Sequence, residues 1–259
     1  MSAVAVLATF YRRPEVVAPI AAALRAQTRP PDELWLLCET DEDAALLVAQ
    51  QWPIAPRLVQ LDCPRDGSGR PMQNPLAAEL NFALDRTQAD YVVYLPDDSL
   101  PEPRKIEAMA GALDEHPEWG AVYCAIIQTL PVGSKPRLCA ANAVVPDAFR
   151  LLDMVQVVHR STPDRWPLDV ATLRLCDAYF WRSLHARLGA FYPVPEVLDA
   201  HRARPDGISA LYGADTELNA DARVKRLARR YLVPVLRLPL GTWALGPWRQ
   251  FKARRTPRK

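Results

Sequence analysis

The run Tyr-Val-Val-Tyr-Leu-Pro over residues 91–96 ends directly in two adjacent carboxylates, Asp97 and Asp98, followed by Ser99. Two like charges at the end of an apolar strand repel unless something positive binds them. Hydrated Mg²⁺ or Mn²⁺ suits that task, because each takes one or two carboxylates and fills its remaining positions with phosphate oxygens. Asp-Asp-Ser-Leu-Pro-Glu over residues 97–102 also reads as a solvated turn that caps a following helix, and spacing alone leaves both readings open. Asp177 opens a helix-like segment and reads as a helix N-cap. Of the four histidines, His116 and His185 lie in helix-like surface contexts and receive no role. His159 either lines a site or is a buried structural imidazole. His201 is a loop histidine or, beside a carboxylate and diphosphate oxygens, a ligand that Mn²⁺ accepts.

The elements that must position these groups follow from hydrophobic periodicity. Residues 3–8 form a continuous apolar run, as a strand buried on both faces would. Pro14 then opens a segment with apolar residues at 16, 17, 20, 21 and 24, which predicts an amphipathic helix. The alternation repeats, with strands over 33–38, 57–61 and 91–95 and helices over 41–51 and 75–86. This βα order predicts an α/β fold with a mainly parallel sheet flanked by helices. In such a sheet ligands sit beyond the carboxyl ends of the strands, so 9–13, 39–41, 62–70 and 97–99 should share one rim. Past residue 120 the pattern is less regular, with strand-like runs over 120–129 and 154–158 and a helix over 177–188.

Other classes are disfavoured. Gly67-Ser-Gly69 stands alone and no GxGxxG follows a strand, which argues against a dinucleotide oxidoreductase. Five cysteines, odd in number and without a CxxC pair, fit buried reduced thiols better than a disulfide framework or a zinc ribbon. The N-terminus lacks the basic region and cleavage site of a signal peptide, and no apolar window reaches the roughly 18 residues of a spanning helix. A cytoplasmic location follows as an expectation, with the inner face of the membrane as a place of peripheral attachment.

Four segments, VAVLATFYRRPE with the following LRAQTRPPDELWLL, then LNFALDRTQADYVVYLPDDS, DMVQVVHRS and CDAYFWRSL, occur in an order and at spacings that resemble family 2 glycosyltransferases of the GT-A fold, including the spore-coat polysaccharide type. The resemblance covers about residues 3–210 and implies a Rossmann-like nucleotide-binding domain that uses Mn²⁺ or Mg²⁺. It implies a donor that is a nucleotide-diphosphate sugar such as a UDP-sugar, and transfer to an acceptor hydroxyl with inversion. It assigns Thr9, Tyr11, Arg13, Glu39, Arg70, Asn81 and Asp97 to the nucleotide sugar, Asp98 and His201 to the metal, and Asp177 to the catalytic base. His159 and Trp181 fall on the acceptor side. Glu39 stands where the family usually has Asp, Cys176 where Gly is common, and Arg65 or Arg70 must substitute for a basic residue that relatives place beside the donor. A nucleotidyltransferase, which should carry a Gly-rich phosphate loop after the first strand, and a non-catalytic sugar-nucleotide or nucleic-acid binding module are the readings of other classes.

The formal net charge of +2 conceals an asymmetry. No acidic residue follows Asp221, and residues 223–259 hold twelve Lys and Arg, which leaves 20 basic against 30 acidic residues in 1–222. We therefore expect a GT-A domain over 1–222, with a nucleotide-sugar half to residue 100 and an acceptor half beyond it, and a basic, aromatic extension over 223–259. Trp243, Trp248 and Phe251 among those charges suit an anionic membrane surface and a lipid-linked or envelope acceptor. They also suit nucleic acid, with a hydroxylated DNA base as acceptor. A third reading is a tail that packs on its own acidic body or joins copies into a homo-oligomer.

Overall fold

A computed structural model describes residues 1–129, 136–145, 152–170 and 176–202. These belong to one compact unit, Met1–Ala210; the expected boundary at 222 and the basic extension lie outside the described residues. The apolar runs form β1 (Val4–Phe10), β2 (Glu33–Cys38), β3 (Arg57–Gln60) and β4 (Tyr91–Pro96), all mutually parallel in the order β3-β2-β1-β4. Helices α1 (Pro14–Arg25), α2 (Asp41–Ala49) and α3 (Pro75–Leu84) connect them. Pro14 and Pro75 take the first helical positions, where a missing N–H is harmless, and Thr40 and Asn74 accept the N-terminal amides of Asp43 and Ala77. The chain leaves β1 for β2 and β3 and returns to β4 on the other side of β1. That reversal creates a switch point, with Thr9 of β1 paired to Pro96 of β4 at its mouth.

Alternate residues of the strands point to opposite faces, and each face is covered. Val4, Val6, Leu34, Leu36, Tyr91 and Val93 pack with α1 and with α4 (Lys105–Glu115). Ala5, Leu7, Leu37, Val92 and Tyr94 pack with α3 and with α5 (Cys176–Leu188). Cys38, Cys63, Cys124 and Cys176 are buried thiols, and burial pushes Cys38 and Cys124 up to about 12, so they remain protonated as expected.

The second half completes the same sheet, with strands that run in both directions. β8 (Val157–Arg160) runs antiparallel to β4 and to β6 (Ala121–Thr129). β9 (Phe191–Arg202) lies parallel to β6, while β5 (Ser99–Pro101) and β7 (Arg137–Cys139) pair antiparallel to β9 and β6. The nine strands among the described residues thus form one mixed sheet. Residues 154–156 are a 3₁₀ turn, not strand, because Asp153 and Gln156 form a reciprocal capping box. Asp97 and Asp98 do not cap a helix: β5 intervenes, and α4 begins only at Lys105. His201 lies in β9, not in a loop.

Two acceptor-side expectations are corrected. His159 is buried, accepts from the Tyr94 hydroxyl through Nε2 (2.8 Å) and donates through Nδ1 to the Arg160 carbonyl (2.7 Å). Burial lowers its pKa to about 4, so it is a neutral structural imidazole. Trp181 is buried beside Phe180 and Trp166, with Nε1 donating to the Leu152 carbonyl (3.1 Å). Neither reaches a surface that an acceptor could touch. Asn81 likewise serves the fold, because its amide both donates to and accepts from the Trp166 backbone (2.9 and 2.7 Å).

Glu79 of α3 is buried and its Oε1 has no hydrogen-bond partner. Burial, reinforced by Glu39 and Asp43, raises its pKa from 4.5 to about 9. A carboxyl that holds its proton in the fold but loses it in the unfolded chain stabilises fully below about pH 4.5, and that contribution disappears as pH rises to about 9. Glu79→Gln, neutral at every pH, should therefore melt a few degrees above the wild type at pH 8, with the gap closing towards pH 4.5. Melting curves that stay parallel across that range would show that Glu79 carries no such burden.

Candidate active site

The loop after β1 is fixed by acids from two other elements. Tyr11 N–H donates to Asp97 Oδ2 (3.1 Å), Arg12 N–H to Asp43 Oδ2 (3.0 Å), and Arg13 Nη1 to the Asp97 carbonyl (2.8 Å). Arg12 has φ of 51°, a strained left-handed conformation for a long side chain, and the Asp43 bond holds it there. Asp43 is itself anchored by the Thr40 hydroxyl (2.8 Å). Thr9, Tyr11, Arg13 and Asp97 thus gather at the switch point between β1 and β4.

Beyond the carboxyl ends of β2 and β3 lies a cleft of about 530 Å³ lined by residues that include Glu39, Asp41, Asp62, Cys63 and Arg65. Glu39 faces Arg65 (3.7 Å). Burial pushes the Glu39 carboxyl up, and Arg65 and Arg12 pull it back. Of the two arginines considered as substitutes, Arg65 lines this cleft. Arg70 is exposed, in a turn where its N–H donates to Asp66 (3.0 Å), and is not among the lining residues.

The second group assembles from three distant segments. Asp98 follows β4, Asp153 caps the 3₁₀ turn, and His201 stands on β9 opposite Ser99, the neighbour of Asp98. His201 Nε2 lies 3.5 Å from Asp98 Oδ2, and Nδ1 lies 3.1 Å from Asp153 Oδ2. Burial disfavours the imidazolium, but Asp153 and then Asp98 outweigh it and raise His201 to about 9. Burial also raises Asp98, against the pull of His201, and Asp98 Oδ1 is buried without a hydrogen-bond partner. Asp177, half-buried in the first turn of α5, is raised to about 6 by burial and by repulsion from Asp153. The Cys176 thiol donates to its Oδ1 at 3.6 Å.

Asp153 was not singled out by residue type or spacing. It opens DMVQVVHRS, and its signal, an acid three residues before Gln, is that of a cap. Only the approach of β9 reveals it as the partner of His201.

A protein-family model described as glycosyl transferase family 2 matches residues 5–138. Protein CgeD of Bacillus subtilis (strain 168) is 24% identical over 223 residues, covering 81% of this chain and 52% of its own length. The chain therefore spans about half the length of this curated relative. Among solved structures, S. aureus TarS 1–349 in complex with UDP-GlcNAc aligns with a TM-score of 0.62 at 13% identity, over 88% of this chain and 73% of that one. The mannosyltransferase PcManGT from Pyrobaculum calidifontis, in complex with GDP-Man and Mn²⁺, aligns at 0.59 and 16% identity, over 88% and 64%. Glucosyl-3-phosphoglycerate synthase from Mycobacterium tuberculosis, in complex with Mn²⁺, UDP-glucose and phosphoglyceric acid, aligns at 0.51 and 18%, over 79% and 73%. At these identities the likeness establishes the fold, the GT-A form of the α/β class. The family model extends over more than half of the residues, and the chain belongs to glycosyl transferase family 2.

Proposed function

We propose that this chain moves a sugar from a nucleotide-diphosphate sugar to an acceptor hydroxyl, in one displacement that inverts the anomeric centre. The observation that carries this reading is the convergence of Asp98, with its unpartnered buried oxygen, His201 and Asp177 beside the switch point of the sheet. A hard carboxylate and an imidazole are donors that Mn²⁺ and Mg²⁺ accept. Among the described residues no group of three or more His, Cys, Asp or Glu is arranged to hold a metal alone, which fits an ion whose remaining positions go to diphosphate oxygens. Asp98 and His201 would hold it, the imidazole giving up its Nε2 proton to do so, and when bound it would offset the charge that builds on the departing diphosphate.

The chain's own residues supply the rest. Glu39, Arg65 and Thr9 border the space for base and ribose, and the loop 11–13 with Asp97 fixes the inner edge of the donor. Asp153, 3.1 Å from Nδ1, pairs with His201 electrostatically, although that nitrogen makes no hydrogen bond. Asp177 accepts the proton of the acceptor hydroxyl as that oxygen attacks. A carboxylate raised to about 6 is a better base than an ordinary one and is still ionised at neutral pH.

Two measurements test the reading. In a thermal-shift panel of UDP, GDP and their sugars with and without Mn²⁺, at least one nucleotide should stabilise the protein in a metal-dependent way, and Asp98→Asn should abolish the metal dependence. No stabilisation by any nucleotide would sink the proposal. Asp177→Asn should reduce turnover by about 10²–10⁴-fold while donor binding persists. In the wild type, turnover should fall about tenfold per pH unit below about 6 and level off above it. A flat profile through that range would remove Asp177 from the role.

The acceptor is approached through the twelve basic residues of 223–259. We place it at an anionic membrane surface, as a lipid-linked or envelope molecule. Sedimentation with anionic vesicles should then be strong at low salt and lost by about 0.5 M. Preferential binding to duplex DNA would favour a modified base instead, and binding to neither would leave the tail to the protein's own acidic body or to a second copy.

A further inference from the structure

Outside the residues that face the donor, one buried ion pair stands out. Lys105, the first residue of α4, is 1% exposed and Asp199 of β9 is 0% exposed. Lys105 Nζ donates to Asp199 Oδ2 (2.6 Å) and to the Val155 carbonyl (2.9 Å), while Asp199 Oδ1 accepts from Ser99 Oγ (2.6 Å) and Leu100 N–H (3.2 Å). Withdrawing two charges from water is expensive, and apolar replacements of such pairs are often no less stable, so net stability is a poor account of its presence.

The positions it reaches give a better one. Ser99 follows Asp98 directly, Val155 lies two residues past Asp153, and Asp199 lies two residues before His201 on the same strand. Each arm of the pair therefore ends beside one member of the Asp98–His201–Asp153 group. These segments lie 44 to 100 residues apart along the chain, so short-range backbone geometry cannot set their mutual distances. We infer that Lys105 and Asp199 are positioning residues, a buried node that fixes Asp98 and His201, the two residues proposed to hold the divalent cation, and Asp153 behind His201. The inference rests on the metal reading above, but concerns how the fold builds that site.

The test uses the full chain with UDP, whose diphosphate completes the ion's ligand set, and follows protein-bound Mn²⁺ by its electron paramagnetic resonance signal against a UDP-only control. Wild type should bind, and Asp98→Ala should not; if wild type fails to bind, or Asp98→Ala binds equally, the metal reading falls. With that reading intact, Lys105→Met/Asp199→Asn should bind Mn²⁺ about 10–100-fold more weakly, as loss of outer-shell partners does. Ser99→Ala, which leaves the ion pair in place, should bind several-fold more weakly and carries the test where the double variant does not fold. Binding within twofold of wild type by either folded variant would overturn the inference. A metal-free readout separates the two ideas: the carbon-bound ring-proton resonances of His201, which lies beside Asp98 and Asp153, should shift in both variants. If they are unchanged, the node does not position the imidazole, whatever becomes of the metal.

Discussion

Repulsion among carboxylates gathered at one rim of the sheet is the constraint on which the rest of this structure depends. Burial raises the pKa of both Asp98 and Asp177, and repulsion from Asp153 raises them further. The fold meets this cost in two ways. It places His201 between Asp98 and Asp153, where the imidazole carries positive charge, and it leaves Asp177 with an affinity for protons that an isolated carboxylate lacks. The same residues pressed together without a counter-charge would destabilise the domain; in this arrangement, the His201 imidazolium offsets the acids beside it and Asp177 accepts protons more readily than a free carboxylate. The aromatic core a few residues away shows the opposite solution. There the donor–acceptor chain from Trp166 through Tyr94 to His159 keeps every buried group neutral.

The parallel half of the fold is legible because its signals are local. Continuous apolar runs mark strands covered on both faces, Pro14 and Pro75 mark helix starts, and the βα order sets the rim where the acids stand. The mixed half depends on pairings between remote segments. β9 is hidden by Pro193 and Pro195, which argue against an interior strand. The structure accommodates both: β5 pairs β9 only from Asp199 to His201, so β9 is an edge at Pro193, and Pro195 falls in the register irregularity opposite Cys124 and Ala125. Without β9 in view, His201 looks like a loop residue and Asp153 like a simple cap. His159 and Trp181 were misplaced for a related reason. An imidazole or indole near a site motif carries no mark of the face it takes, and here both turn into the core between β4, β8 and α5.

The two halves of the sheet contribute differently to the proposed chemistry. The parallel strands create a switch point and a cleft, geometric features that many nucleotide-binding domains share. The mixed strands bring in Asp153 and His201, and α5 brings in Asp177, so the groups suited to acid–base and metal chemistry come largely from the less regular segments. That division explains why donor-side residues are easier to find in this sequence than those at the reacting atoms. Position in a repeating βα pattern locates the former, and only tertiary contact locates the latter.

The loop after β1 bears on why the proposed function calls for a cation. In Gly-rich phosphate loops successive backbone N–H groups point at the diphosphate and neutralise it. Here the N–H groups of Tyr11 and Arg12 are already taken by Asp97 and Asp43, and no glycine follows the strand. The backbone of this loop is thus bound to acids and cannot also cradle phosphate without losing those bonds. Positive charge for a departing diphosphate must come from outside the main chain, from Arg13, from Arg65 or from an ion on Asp98. The paired carboxylates at the end of β4 and the missing glycines at the end of β1 are therefore two sides of one electrostatic arrangement: acids hold the loop in shape, and in the proposed function a cation on Asp98 would supply what the loop's amides do not.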